Sequence, residues 1–246
     1  MVFCESWLNE SIPDDAIQIP GYNAPFRCDR NLRRGGGVCL YVANHFPVRS
    51  LLDLPQPPPC FEYVWISLPT FRLIILALYI PPGLSASQHC EIKEFIVCAA
   101  DEAFNRVPDS DLIILGDINN FQTSDIENSL SLCQVVQTPT RGASILDKIL
   151  LHDNICDLYC SPTMSPSFGK ADHLTVILKP VKGPSVPPRI VKVYDFRASN
   201  MRNFQKTLKA QRWNDLLYRS TASVDEKCAQ FYNMVSNALE VNLSLL

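Results

Sequence analysis

No stretch of this 246-residue sequence reaches the roughly 18 consecutive apolar residues of a membrane-spanning helix. The longest strongly apolar run, Leu73 to Tyr79, has the length of a strand, so no membrane partner is expected. The opening MVFCESWLNE has no basic segment followed by an apolar one, and no secretory signal is read there. Also missing are a CxxC pair and a histidine pair at zinc-finger spacing; Cys156 and Cys160 stand four apart. The ten cysteines are irregularly spaced, and Cys4, Cys39 and Cys98 fall in apolar strand-like runs. They read as buried reduced thiols, and so as an intracellular protein, nuclear or cytoplasmic, rather than a secreted one. Glycine is scarce, nine residues against nineteen prolines, which implies many turns and short strands. There is no internal repeat.

What is present is ordinary in bulk and uneven in detail. The chain is 47% hydrophobic and 19% charged, the profile of a globular protein with a substantial core. Its net charge of −3 hides a division. Residues 1–178 hold 11 basic and 20 acidic residues, a net −9, while residues 179–219 hold 10 basic and 2 acidic, a net +8. An acidic body with a basic C-terminal segment fits a metal-binding head joined to a polyanion-contacting tail, or simply a solvated basic linker.

Along the body, Gly37 to Val42, Phe61 to Leu68 and Arg72 to Ile80 read as strands, the last stopped by Pro81-Pro82-Gly83. A helix is predicted from Ser87 to Phe104, with Ile92, Phe95, Ile96, Ala99, Ala103 and Phe104 as its apolar stripe. Asp111 to Leu115 reads as a buried strand, and two more strands are expected at Ile145 to Leu151 and Leu174 to Lys179. Pro180 to Pro188, with four prolines, reads as a linker. Two amphipathic helices follow. Met201, Phe204 and Leu208 mark the first; the second opens on a capping box, Ser223 to Glu226, and carries Val224, Cys228, Phe231, Val235 and Leu239 as its stripe.

The chemistry-bearing residues sit at strand ends. Gly116-Asp117-Ile118-Asn119 follows the buried run Leu112 to Leu115, so a carboxylate and an amide two residues apart can point into one cleft; the alternative is a plain turn. Asp172 and His173 precede the last strand of the body and offer a metal ligand and an acid/base, or a structural histidine. Asp147 lies on a strand-like run, where a cross-strand salt bridge is the alternative. Glu5 follows the short apolar strand Val2 to Cys4 and by itself is a surface residue. Arg30, Arg33 and Arg34 form either a phosphate-contacting group or a solvated loop.

Taken in order, these segments resemble the endonuclease domain of LINE-type non-LTR retrotransposons, in the endonuclease/exonuclease/phosphatase family. Glu5-Ser6-Trp7-Leu8 is similar to E-T-W-L, Leu78-Tyr79-Ile80-Pro81-Pro82 to Y-R-P-P, Gly116-Asp117-Ile118-Asn119 to G-D-F-N and Ala171-Asp172-His173 to S-D-H. Ile19-Pro20-Gly21-Tyr22, Asp29-Arg30, Arg34-Gly35-Gly36-Gly37-Val38, Pro139-Thr140-Arg141 and Leu146-Asp147 fall between them in the family's order. The resemblance spans residues 1–180 and implies a four-layer α/β/β/α sandwich, deoxyribonuclease I-like, whose active site lies at one end of two packed sheets. Residues 181–246 resemble the linker that leads to a reverse transcriptase.

The resemblance further implies Mg²⁺, with Mn²⁺ as a substitute, held by Glu5 with Asp172 as a second carboxylate. It makes Asp117 the group that orients or deprotonates water, Asn119 and Tyr79 phosphate contacts, His173 a phosphate-oxygen contact and Asp147 the support of its ring. Arg30, Arg33, Arg34 and Arg141 are the expected DNA contacts. DNA is the expected partner, and the expected activity is a target-DNA nick that primes reverse transcription. Three departures stand out. Nothing before Met1 supplies the family's opening strand with its metal-side asparagine, Ala171 replaces the serine of S-D-H, and Ile118 replaces Phe or Leu. The missing strand motivates a second expectation, an inactive truncated remnant. A phosphomonoesterase or lipid phosphodiesterase of the same fold is a third.

Overall fold

The computed structural model describes residues 1–30, 35–52, 54–55, 58, 60–182, 197–219 and 221–243. They divide into two compact units, Met1–Gly183 and Pro184–Leu246. The stretch expected as a linker, Pro180 to Pro188, lies from residue 183 onward outside the described residues.

The first unit is α/β. Its strands are β1 (Val2–Cys4), β2 (Phe26–Cys28), β3 (Val38–Leu40), β4 (Arg49–Ser50), β5 (Glu62–Leu68), β6 (Leu73–Tyr79), β7 (Asp111–Asp117), β8 (Leu132–Gln134), β9 (Asp147–His152), β10 (Thr163–Ser165) and β11 (Thr175–Ile177). Its α-helices are α1 (Ala86–Arg106) and α2 (Ser124–Leu130). A six-stranded sheet runs in the order β4-β5-β6-β7-β9-β8, with β6 and β7 parallel. A three-stranded sheet, β1-β3-β2, and the hairpin β10-β11 stand apart from it.

Side chains alternate across a strand with period two, and the large sheet is apolar on both faces. Trp65, Ile74, Leu76, Leu78, Leu112, Ile114 and Leu150 join Ile92, Phe95, Ile96 and Ala99 of α1 and Ile126 of α2 in one core. Val64, Ile66, Ala77, Ile113, Ile149 and Leu151 join Val38 and Leu40 of β3, with Met164 and Val176 of the hairpin packed alongside, in another. The order is therefore helices, six-stranded sheet, second β layer. Two-sided burial explains why β6 and β7 read as unbroken apolar runs rather than alternating ones.

The helix α1 starts where its chemistry allows. Ser85 accepts the Gln88 N–H while Gln88 reaches back to the Ser85 N–H, a complete capping box. Its buried residues are those of the predicted stripe with Ala100 added, and Phe104 is only half-buried. All ten cysteines are free thiols, but only Cys39 is buried; Cys4, Cys28, Cys60 and Cys156 are half-buried and Cys90, Cys98, Cys133, Cys160 and Cys228 are exposed, contrary to the burial expected for the set.

The second unit holds α3 (Ala198–Lys209) and α4 (Val224–Asn242). The Ser223–Glu226 capping box forms as read from the sequence. The stripe of α4 is largely uncovered among the described residues: Val224 is 76% exposed and Phe231 47%, and burial falls on Ala238 and Leu243 near the C-terminal end. Among the described residues no helix is long and apolar enough to cross a membrane.

Candidate active site

Strand register assembles the site. Glu62 pairs with Tyr79, Tyr79 with Asp117 and Asp117 with Asp147, a row across β5, β6, β7 and β9 at one end of the large sheet. Register partners share a face, here the face of Val64, Ala77, Ile113 and Ile149 that looks toward the second β layer. One lateral row thus carries an acid, a phenol and two further acids.

The turn after β7 depends on Gly116. Its φ is +148°, and a Cβ there would lie 1.8 Å from the Leu78 carbonyl oxygen. Only glycine lets β6 approach this closely, and the next residue, Asp117, is thereby set against the row. Asp117 is buried, and its Oδ1 accepts the Asn119 N–H at 3.1 Å. Burial, and then the charge of Asp147, push its pKa up to about 6. Asn119 sits in the left-handed region at φ 48° and donates from Nδ2 to the Ile80 carbonyl at 2.9 Å.

His173 places Nδ1 2.8 Å from Asp147 Oδ2. An ionised carboxylate can only accept, so Nδ1 carries the proton and Nε2 is left to act elsewhere. Thr140, fully buried, holds this pair from behind. Its Oγ1 accepts the N–H groups of Leu146 and Asp147, both at 3.1 Å, and its carbonyl accepts the Leu174 N–H at 2.7 Å.

Glu5 enters from the end of β1 at φ 50°. Tyr79 donates its hydroxyl to Oε1 at 2.6 Å, and Trp7 donates Nε1 to Oε2 at 3.3 Å. Burial and the bond to Glu5 push the Tyr79 phenol up, so it stays a donor. Cys4 links β1 to the large sheet: Sγ donates to the Leu78 carbonyl and accepts the Asp117 N–H at 3.2 Å.

The structure therefore brings together Glu5, Tyr79, Asp117, Asn119, Asp147 and His173. Other predicted residues are placed differently. Asp172, expected as a second metal-side carboxylate, is 66% exposed in its side chain and ion-paired to Arg141 at 2.6 Å. It comes no nearer to His173 Nε2 than 4.0 Å. That pairing also occupies Arg141, an expected DNA contact. Arg30, another, is enclosed: Nε meets Glu62 Oε1 at 2.5 Å, a second nitrogen meets Oε2 at 2.8 Å, and the guanidinium lies over the Tyr79 ring. Arg33 and Arg34 lie outside the described residues.

Three contributors have no assigned role in the sequence reading. Cys4 carried no signal beyond its strand. Thr140 lies in the Pro139-Thr140-Arg141 motif, but its bonding to two backbone amides is a tertiary fact. Glu62 was findable, because an acid in phase with the inward-facing Val64 and Ile66 must be buried with a partner.

Asp117, Asp147 and His173 each offer a ligand atom within 4.8 Å of the others. The charges of Asp147 and Glu5 both oppose ionisation of Asp117, and among the described residues no lysine or arginine is bonded to any of the three acids. Closely spaced oxygen donors with unbalanced negative charge are what a hard divalent cation takes. The donor set fits such an ion.

No family model matches the chain, and no curated protein matches it. Among solved structures it is similar to a 3'-5' exonuclease from Neisseria meningitidis, at 16% identity and a TM-score of 0.49, over 73% of this chain and 88% of that one. An AP endonuclease from Archaeoglobus fulgidus is similar at 11% identity and a TM-score of 0.48, over 74% and 89%. The endonuclease domain of TRAS1, a telomere-specific non-LTR retrotransposon, is similar at 14% identity and a TM-score of 0.45, over 65% and 78%. None of these reaches a TM-score of 0.5, so a function has to be carried by the cleft itself.

Proposed function

We propose that this protein is a divalent-cation-dependent phosphodiesterase that nicks DNA, in the manner of a LINE-type retrotransposon endonuclease. The observation that carries the proposal is the pairing of a buried Asp117, raised toward neutrality, with a His173–Asp147 dyad in one cleft beside Glu5. A phosphodiester is anionic and resists attack, so its cleavage needs a proton acceptor, donors to the phosphate oxygens and offset of the charge that builds there.

Each requirement has a residue. Asp117 accepts the proton of the attacking water, oriented by the Asn119 N–H it already binds. Asn119 uses the amide hydrogen not committed to Ile80 to hold the phosphate. As the imidazolium, His173 can donate from Nε2 to a phosphate oxygen while Asp147 accepts from Nδ1 and fixes the ring. Tyr79 supplies a hydroxyl beside Glu5. Glu5, with carboxylate oxygens of Asp117 and Asp147, would hold the cation, which leaves His173 Nε2 for the phosphate; Asp172, paired with Arg141, falls outside this set. A bound Mg²⁺ or Mn²⁺ would supply Lewis-acid stabilisation of the phosphate oxygens. The choice of a retrotransposon nick, with a reverse transcriptase as the expected companion, rests on the ordered motif series of residues 1–180.

Incubating the protein with supercoiled plasmid and Mg²⁺ should convert it to open circles, and chelator should stop the conversion. Asp117→Asn and His173→Ala should each lower the rate by at least about 100-fold, the usual scale of one acid/base group. Undiminished nicking in either variant would show that the cleft is wrongly assigned. Hydrolysis of a phosphomonoester or a phospholipid in place of plasmid would move the substrate to the other branches of the fold.

A further inference from the structure

In the second unit the described side chains line up unanswered positive charge along one helix. Arg202, Lys206 and Lys209 of α3 recur at intervals of four and three, which puts them on one face of a 3.6-residue helix. Arg212 follows at the same interval just past the helix end. All four are exposed, and none has a hydrogen-bond or ion-pair partner for its side chain among the described residues. The other side of α3, marked by Met201, Phe204 and Leu208, is half-buried, and Asn242 of α4 bonds Thr207 at 3.0 Å. The apolar side of the helix is thus engaged within its unit, and the basic side is not.

In the first unit Arg27 is bonded to Asp14 and Asp29, Arg30 to Glu62, Lys93 to Asp125, Arg106 to Glu102 and Arg141 to Asp172, while the exposed Arg49, Arg72, Lys170, Lys179 and Lys182 lie on separate segments rather than on one helix face. The arginines read from the sequence as DNA contacts are, where described, already neutralised. Between residues 197 and 219 the only acid is Asp215.

We infer that the basic face of α3, continued by Arg212, is a contact for the phosphate backbone of DNA, separate from the residues of the cleft. Arg202 to Lys209 spans about 10 Å of helix rise. A DNA strand presents a phosphate every ~3.4 Å of axis, so three flexible side chains can each meet one. An anionic membrane fits less well, because surface helices insert an apolar face and that of α3 is taken up within the unit. A phosphate contact of this kind gives affinity and salt dependence without sequence readout. Naming DNA as the polyanion rests on the function proposed above, and the test keeps the two apart.

The full chain and its Arg202→Gln/Lys206→Gln/Lys209→Gln/Arg212→Gln variant would be titrated with a labelled DNA duplex in chelator, at several salt concentrations. The same proteins would be assayed for hydrolysis of bis(p-nitrophenyl) phosphate with Mg²⁺. The variant should bind at least tenfold more weakly at low salt. Its plot of log K against log salt should be shallower by about 0.9 for each phosphate no longer neutralised, so by up to about 3.6. Hydrolysis of the small diester should be unchanged, and Arg202→Lys/Arg212→Lys should keep the wild-type slope. The substitutions are all at exposed positions, and Lys206→Gln alone, shallower by about 0.9, serves if the fourfold variant loses helix content. Equal affinity and equal slope would overturn the inference whatever the hydrolysis shows. So would loss of binding to anionic vesicles with DNA affinity intact. A slope change with no hydrolysis by either protein would support this surface and overturn the reading of the cleft.

Discussion

At the scale of single residues the most consequential is one that does no chemistry. Glu62 is 6% exposed and answers the guanidinium of Arg30, whose side chain is itself only 12% exposed. Arg30 in turn lies over Tyr79, the phenol that donates to Glu5. Removing one partner of such a pair strands a charge, at a cost of about 3–5 kcal/mol, whereas removing both can be nearly neutral. Glu62→Gln should therefore lower the urea midpoint far more than Glu62→Leu/Arg30→Met does. If the double variant is the less stable, Arg30 and Glu62 are not acting as a pair.

At the scale of elements the decisive contact is between β6 and β7, parallel neighbours that end together at Tyr79 and Asp117. Gly116 makes that ending possible, since a Cβ there would overlap the Leu78 carbonyl. Gly116→Ala should destabilise by about 3 kcal/mol or more, through backbone strain and overpacking. It should also lower nicking, because relief of the clash displaces Asp117. An unchanged denaturation midpoint in equilibrium unfolding would mean that the two strands do not approach this closely. The same contact accounts for the reach of β1, whose Cys4 Sγ bonds both the Leu78 carbonyl and the Asp117 N–H.

At the scale of the whole molecule the cleft is a place where stability is given up. Asp117 is buried beside Asp147 and Glu5, and its pKa rises from 3.8 to about 6. A carboxylate raised on folding binds more protons in the native state than in the unfolded one between those values. Stability from this group is therefore full below about pH 4, falls as pH rises toward 6, and stays lost above it. In chelator at pH 8, Asp117→Asn should melt higher than the unsubstituted protein, and the difference should close as pH falls below 4. A variant that melts lower at pH 8 would show that Asp117 is not held under repulsion.

Local pattern carried a good part of this protein. Apolar runs of strand length gave β5, β6 and β7, a 3.6-residue stripe gave α1, and S-x-x-E gave the start of α4, because each depends on neighbours within a few residues. Ordered short motifs also pointed to Glu5, Tyr79, Asp117, Asn119, Asp147 and His173, which the fold gathers in one cleft. What the tertiary structure alone decided is how charges pair over long separations. Arg30 meets Glu62 across 32 residues, Arg141 meets Asp172 across 31, and His173 meets Asp147 across 26. A charged side chain looks the same in sequence whether it faces DNA, a metal or a buried counter-charge. Only strand register, fixed by which faces must leave water, selects among them.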